Sequence, residues 1–467
     1  MCPPAGLGQE REFNYRAAVS GFLSGEKQLP FWAVSNRHGI VPTTNGGVLE
    51  AGIFSGFVSG RAIRFAYGVS AAGQFSEEEN NLFIDQLFAS ANWKKIRLDL
   101  GIIHRETILD GLSATNGNIL WSGNTRSLPG YTFSTGYIFV PGTKGVLSFK
   151  GSWSDYLMND KRYVKNTLLH NKSLFLRIVP HRRWEVVVGL EHAAQWGGTF
   201  PDGSKQPASF LDYLRIVAGR EGGSDATVSD QINVLGNHLG RQHVQVSYSA
   251  DAYSLSFYHD IPFEDGSGSR FQNFPDGTYT LHYRKHRSGN WIDAALYEFH
   301  YTKRQSGKYH DRLRTPEEMT GRDPEDNREM LGGNDDYFNN GEYRSGWTFH
   351  GRAIGSPLMT AGTPGEDGIS PGIFNNRVLG HHIGLKGTAF SRIPYKALLT
   401  YTLNYGRYSE PLPDAPQEQF SCGLEATLPH CGVPFRIDLG IYGDFGPFSG
   451  RNIGVGLKLY RFGKIGR

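Results

Sequence analysis

No run of eighteen apolar residues occurs anywhere in the 467-residue chain, and the mean hydropathy is −0.41. A transmembrane helix is thereby excluded. A transmembrane β-barrel is not, because only alternate residues of its strands face lipid. Cysteine is scarce, limited to Cys2, Cys422 and Cys431, and no C-x-x-C occurs. Zinc and thioredoxin-type readings therefore have no support. Cys422 and Cys431 either pair across a turn or stand as two unpaired thiols. Neither sign of charge dominates, with 48 basic and 45 acidic residues, so no nucleic-acid partner is implied. Enzyme signatures are missing: there is no G-x-S-x-G, no H-E-x-x-H and no P-loop. His238 and His243 have the wrong spacing for one helix face. The chain is expected to be non-enzymatic, with no metal and no cofactor.

What the chain does have is 60 glycines, 23 tyrosines, 29 phenylalanines and an aromatic share of 13%. Many short strands joined by glycine-rich turns give that profile. The dominant pattern is period two. In "HVQVSYSADAYSLSFYHD" Val244, Val246 and Tyr248 alternate with Gln245, Ser247 and Ser249, and the pattern resumes after Asp251-Ala252 with Leu255 and Phe257. That is a hairpin with one apolar and one polar face. The same alternation marks Ala397-Leu399-Tyr401-Leu403-Tyr405, Phe435-Ile437-Leu439-Ile441 and Ile453-Val455-Leu457-Leu459. A soluble sandwich would turn the apolar face to a core and a membrane barrel would turn it to lipid.

Reading the pattern along the chain predicts eighteen strands: 13–23, 47–58, 61–71, 94–103, 116–123, 130–140, 145–156, 171–180, 184–192, 242–250, 253–260, 278–287, 291–301, 379–392, 395–406, 418–428, 434–444 and 451–462. Connections after even-numbered strands are short turns, apart from a link of about a dozen residues after 94–103. Those after odd-numbered strands are long: 24–46, 72–93, 157–170, 193–241, 261–277 and 302–378. Short periplasmic turns alternating with long extracellular loops are what an outer-membrane barrel requires. The parity of everything downstream depends on the segment 116–123, "NGNILWSG". The expected fold is thus all-β, an 18-stranded antiparallel transmembrane β-barrel with long extracellular loops, short loop helices and a partly plugged lumen. One barrel domain covers 13–467. Residues 1–12 have no basic and no apolar region, so they are not a signal peptide themselves; the small residues Ala5, Gly6 and Gly8 could be the remnant of one.

Two loops exceed the length of idle connections. In 193–241, "ASFLDYLRIVAG" carries Phe210, Leu211, Leu214 and Val217 at helical spacing. "SDATVSDQINVLGNHLG" carries Val228, Ile232 and Leu235 in the same way. The loop 302–378 starts with the charged stretch "RLRTPEEMTGRDPEDNREM" and leads into "YFNNGEYRSGWTFHGRAIGSPL", Tyr337 to Leu358. The latter is crowded with rings and glycines and has no period.

"GLEHAAQWGG" (Gly189 to Gly198), "DYLRIVAGREGGSDATVSDQINVLGNHLG" (Asp212 to Gly240), the stretch from Tyr337 to Leu358, and "FNNRVLGHHIGLKG" (Phe374 to Gly387) resemble the capsule assembly protein Wzi family, in its Bacteroidetes form. The resemblance covers most of the chain. It implies an 18-stranded barrel in the outer membrane of a Gram-negative bacterium of that group. Such a barrel is partly closed by its own loops and acts as a surface lectin that helps to organise capsular polysaccharide. The implied partners are capsular or other surface polysaccharide, the outer-membrane lipid bilayer and further envelope proteins. Two other functions stay open: a substrate-specific porin constricted by loop 302–378, and a scaffold subunit of a larger envelope complex.

Candidate ligand residues follow from side-chain chemistry. Tyr343, Trp347 and Phe349 could stack on sugar rings, and Arg344 and Arg352 could pair with uronate or phosphate. The same residues suit a plug that fills a wide lumen. Glu191 and Gln195 could bond sugar hydroxyls beside a stacking Trp196. The structural alternative is a lumen ion pair for Glu191 and a membrane-interface ring for Trp196. Arg377 near the mouth could hold an anion, as could Arg126 beside Trp121. His381 and His382 are adjacent in a strand, point to opposite faces and cannot easily share a metal.

Overall fold

The structure is a computed structural model. It describes residues 13–57, 62–78, 80–223, 226–227, 234–264, 268, 270–308, 312–313, 319–321, 328–329, 333–429 and 432–465. One antiparallel sheet closes on itself. Its strands are β1 (Phe13–Ser24), β2 (Gly46–Ser55), β3 (Ile63–Ser76), β4 (Asn80–Trp93), β5 (Ile96–Ile102) and β6 (Gly130–Thr135, continued by Ile138–Phe139). They continue as β7 (Leu147–Met158), β8 (Thr167–His181), β9 (Trp184–Trp196), β10 (Asn237–Ser249), β11 (Tyr253–Phe263) and β12 (Gly277–Lys285). The remainder are β13 (Ala294–Tyr301), β14 (Val378–Ala389), β15 (Ile393–Asn404), β16 (Gln417–Thr427), β17 (Arg436–Phe445) and β18 (Asn452–Ile465). Each strand pairs with the next, and β1 pairs with β18 from Phe13 opposite Ile465 to Ser24 opposite Gly454. The wall therefore has eighteen strands and no free edge, as expected from the alternation.

The faces are those of a membrane barrel. Leu23, Phe65, Leu174, Ile441 and Ile453 are exposed on the outside, Leu174 by 61%. Their neighbours Ser20, Asp99, Thr280, Thr400 and Gln419 are buried, and Glu298 on β13 has no exposure at all. A soluble sandwich would have the opposite arrangement.

Two strand expectations were wrong, and they cancelled. The segment 80–93, read as loop, is β4. Its register against β3 skips Asp85: Ser70 faces Gln86 while Ala71 faces Ile84. This β-bulge shifts the side-chain phase by one residue, so Leu82 and Ile84 point outward, then Leu87 and Ala89. No single period-two pattern covers the segment. Conversely 116–123 is not a strand. It lies inside the lumen, where Ile119, Leu120 and Trp121 are buried. The parity downstream survived because one strand was lost and one was gained. The predicted long loop 72–93 shrinks to the short link between Ser76 and Asn80, and the odd link after 94–103 becomes the long connection 103–129.

Connections at one end are then 25–45, 77–79, 103–129, 159–166, 197–236, 264–276, 302–377, 405–416 and 446–451. At the other end they are uniformly short, which marks that end as periplasmic. Three of the long connections turn inward. Residues 25–45, with the one-turn helix α1 (Phe31–Val34), bury Trp32 and Ala33 against Leu398 and Tyr442 of the wall. Residues 103–129 bury Leu109, Leu112 and Ala114 in the same cluster. They also place Ile119, Leu120 and Trp121 in a second cluster with Tyr337, Phe338, Trp347, Phe349 and Ile354. The ring-rich stretch is thus the centre of a plug. Its glycines serve close packing: a Cβ on Gly355 would lie 2.4 Å from the Ile119 carbonyl oxygen, and Gly346 has φ of 61°.

Candidate functional site

The wall and the plug are joined through buried polar contacts. Glu298 accepts hydrogen bonds from Ser113 (2.5 Å), Thr115 (3.3 Å) and Thr280 (3.3 Å). Glu191 on β9 is paired with Arg241 on β10 (2.9 Å) and accepts from Asn118 of the plug (2.8 Å). Arg241 also meets Asp260 on β11 (2.5 Å), which binds His243 (2.6 Å). Glu191 is therefore a lumen charge with an arginine partner, as the ion-pair alternative expects. Gln195 is equally committed. Its amide donates to the Gly346 carbonyl (3.0 Å) and its oxygen accepts from Asn237 (2.8 Å).

The ring-rich stretch divides sharply. Trp347 has no exposure. Its indole N–H donates to the Leu120 carbonyl (2.7 Å), and its ring meets Trp121 edge-on at 5.3 Å. Phe349 is buried beside it, and Tyr343 is buried with its hydroxyl donating to the Gly197 carbonyl (3.2 Å). None of these rings offers a free face to a sugar. Arg352 braces the first insert, donating to the carbonyls of Val34 (3.3 Å) and Val41 (2.5 Å). Arg344 is exposed at the top, as are Gly341 and His350. Its guanidinium lies 4.7 Å over the ring of Tyr163, which meets Phe200 edge-on at 6.3 Å. Arg377 is half-exposed at the rim, stacked 3.7 Å over Tyr408.

Trp196 lies on the outer face of β9, 5.4 Å from Tyr213 of a loop helix, α2 (Phe210–Ala218). Trp121 and Arg126 face downward from the plug. Arg105 stacks 3.8 Å over Trp121; Arg126 stacks 3.5 Å over Phe83 and bonds Gln74 (2.9 Å). Beneath them is a cavity of about 760 Å³, lined by Arg97, Arg105, Arg126, Lys150, Arg241 and Glu191 among others. His38 borders the same space, stacked on His104 at 3.9 Å. Burial, and then the neighbouring His104, pull it down to about 3, so it is neutral.

His381 and His382 do point apart. His382 is buried between Thr400 (2.8 Å) and the Leu112 carbonyl (2.7 Å), whereas His381 bonds the outer Tyr297 (2.8 Å). The described residues contain no cluster of His, Cys, Asp and Glu able to hold a metal.

Sequence reasoning missed Asp160 and Arg162 in the loop 159–166. Both side chains are 2% exposed and pair with each other at 3.6 Å. Arg162 donates to the Thr348 carbonyl (3.1 Å), and Asp160 accepts from the His350 amide (3.0 Å). They clamp the short hairpin Thr348–Phe349/Arg352–Ala353 at the top of the plug. Burial pushes the Asp160 carboxyl up and the Arg162 guanidinium down, each opposed by the charge of the other. Asp276, just before β12, was missed as well. It accepts from the amides of Arg304 (2.8 Å) and Gln305 (2.6 Å) and from the Tyr337 hydroxyl (2.9 Å), and burial raises it to about 6. Charged residues in loops read as solvated surface, so no local signal marked either group.

No family model matches the chain, and no curated protein does. Among solved structures it is similar to Wzi of Escherichia coli, described as an outer-membrane protein involved in group 1 capsule assembly and a carbohydrate-binding β-barrel. The TM-score is 0.57 at 12% identity, over 97% of this chain and 84% of that one. Pseudomonas aeruginosa OpdO gives 0.49 at 9% identity, over 98% of both chains, and OprD of the same bacterium gives 0.48 at 9%, over 99% and 97%. The chain has the fold of an outer-membrane β-barrel. That likeness carries no information on the Bacteroidetes branch expected from the sequence.

Proposed function

We propose that this protein binds a surface polysaccharide at the loop face of a plugged outer-membrane barrel, without catalysis, and so takes part in capsule or surface-glycan assembly. The observation that carries the reading is the division of the ring-rich stretch. Its aromatic rings are spent on filling the lumen, which fixes the loops above them, and Arg344 is left exposed over Tyr163 and Phe200. A guanidinium beside aromatic faces suits an acidic sugar: the cation meets the carboxylate and the rings meet the C–H face. The carbohydrate-binding description of the structurally similar Wzi supports it. The test is binding of purified acidic capsule fragments to protein in nanodiscs. Arg344→Ala and Tyr163→Ala are expected to weaken binding while heat-modifiable gel migration is kept. Unchanged binding by both variants would overturn the assignment of the site.

A second reading, a constricted channel for anionic solutes, is favoured by the cationic cavity beneath the plug. There Arg97, Arg105, Arg126 and Lys150 outnumber the carboxylates on the same surface. Ion conductance separates the two readings.

A further inference from the structure

Helix α2 is built inside out for a helix in water. Ser209 and Asp212 form a reciprocal capping box, Asp212 is buried, and Ile216 is buried against Ala194 and Trp196 of the barrel. The outer face carries Phe210 (75% exposed), Leu211 (58%) and Leu214 (46%). Phe210, Leu211 and Leu214, three of the four residues whose spacing predicts a helix, point away from the protein. Large apolar groups grouped on one face of a helix, next to a lipid-facing wall, are the pattern of an interfacial helix.

The wall beneath α2 gives the reason for its position. On β7 to β10 the residues between the lumen-facing positions point outward, and near the long-loop end these are Asp155, His170, Lys172, His192 and His238. Bare to hydrocarbon, such groups would be very costly. Each is instead bonded locally through at least one atom, although His170 Nε2 and His192 Nδ1 have no hydrogen-bond partner among the described residues. Asp155 accepts from His170 (2.9 Å), Tyr131 and Tyr213 of α2 (3.0 Å). His192 bonds His238 (2.8 Å), His238 bonds the Leu235 carbonyl (2.7 Å), and Lys172 caps the Val217 carbonyl of α2. The helix thus covers this sector with both kinds of contact, packing Ile216 on Ala194, Trp196 and Leu235 and bonding Asp155 through Tyr213, and it leaves an apolar outer surface.

Between α2 and the wall runs an open groove of about 620 Å³, lined by Pro129, Leu157, Leu168, Trp196, Phe210 and Tyr213. Its floor residue Leu157 belongs to the same outward row of β7 as Phe149 and Trp153, so the groove is continuous with the membrane-facing surface. We infer that α2 lies in the outer leaflet and that this groove holds an acyl chain of an outer-leaflet lipid. The occupant follows from that continuity: the groove is lined mainly by apolar groups, with the Asp155 carboxylate in its lining held by Tyr131 and Tyr213, and it opens sideways onto the hydrocarbon band.

The test uses the full chain with Cys2→Ser, Cys422→Ser and Cys431→Ser. A nitroxide is attached at Phe210→Cys, Leu214→Cys or Leu157→Cys, and the protein is placed in phosphatidylcholine vesicles. Leu174→Cys, on the bare wall, and Ser409→Cys, on an exposed loop, are the controls. Labels at all three test positions are expected to show high collision rates with oxygen and low rates with a water-soluble nickel chelate, as at Leu174. A Phe210 or Leu214 label that collides with nickel like Ser409 would put the helix in water and overturn the proposal. A Leu157 label that collides with nickel would mean a water-filled groove, and one reached by neither reagent a groove closed by protein; either result also overturns it.

Discussion

The two halves of the lumen are enclosed by the same wall and filled in opposite ways. Toward the long loops the space is taken by rings and aliphatic side chains from three inserted connections, with Trp347, Tyr337, Phe338 and Phe349 among the largest fully buried groups. Toward the short turns the wall faces a cavity of about 760 Å³ edged by Arg97, Asp99 and Lys150. The wall's own inward face is mainly polar but lends Val48, Leu169, Leu239, Leu296 and Leu398 to the apolar clusters, which the loops complete. Where a loop enters, it brings an apolar core with it and uses the polar wall groups, such as Glu298 and Gln195, as hydrogen-bond anchors. Where no loop reaches, the wall keeps its charges around open space.

Breaking the upper half should have the largest effect. Trp347→Ala removes the central ring and its bond to Leu120, and is expected to cost the plug about 3–5 kcal/mol. Protease sensitivity of residues 337–361 and ion conductance should both rise, while the barrel itself stays heat-modifiable. Arg162→Ala comes next, because it leaves Asp160 buried without its partner, at a cost of about 3–5 kcal/mol. Adding Asp160→Asn to that variant should recover part of the loss in a thermal melt, since the uncompensated charge is then gone. If the double variant were no better than the single, the pair would not be acting as an ion pair.

A smaller effect concerns pH at the rim. The Asp276 carboxyl is raised from 3.8 to about 6 mainly by burial. A raised acid favours the folded state while protonated, so its contribution is fully present below the unfolded value and is lost as pH rises through about 6. The shift sets a ceiling of roughly 3 kcal/mol on that loss. Hydrogen exchange at the amides of Arg304 and Gln305 should therefore quicken, beyond its intrinsic pH dependence, between pH 4 and 7. The smallest stability effect belongs to Arg344→Ala, within about 0.5 kcal/mol as for an exposed position, yet it should weaken polysaccharide binding. Trp347 and Arg344 thus sharpen the contrast within one stretch: the first change reads out in stability and current, the second in binding.

Much of the wall was legible because a lipid-facing strand writes period two into the sequence. It failed at β4, where the bulge at Asp85 shifts the phase, and at 116–123, where apolar residues serve a plug instead of a strand. The helix Phe210–Ala218 was readable from its spacing. Its orientation was not, since spacing shows that one face is apolar and not whether protein or lipid covers it. The second predicted helix, around Val228 and Ile232, and most of the charged stretch from Arg312 to Met330 lie outside the described residues. Of the candidate ligand residues, those with a partner far away in sequence could not be sorted in advance. Nothing near Trp347 reveals that Leu120 accepts its N–H, and nothing near Glu191 reveals Arg241. The separation of plug from site is a tertiary fact, visible only once three loops meet in one lumen.

The central claim is that the upper lumen is filled so that the loop face serves binding and not passage. Single-channel recording of the purified protein in planar bilayers tests it most directly. Wild-type protein should pass little current, and Trp347→Ala should pass markedly more. A steady, open conductance in the wild type, unchanged by Trp347→Ala, would contradict the account and favour the channel reading.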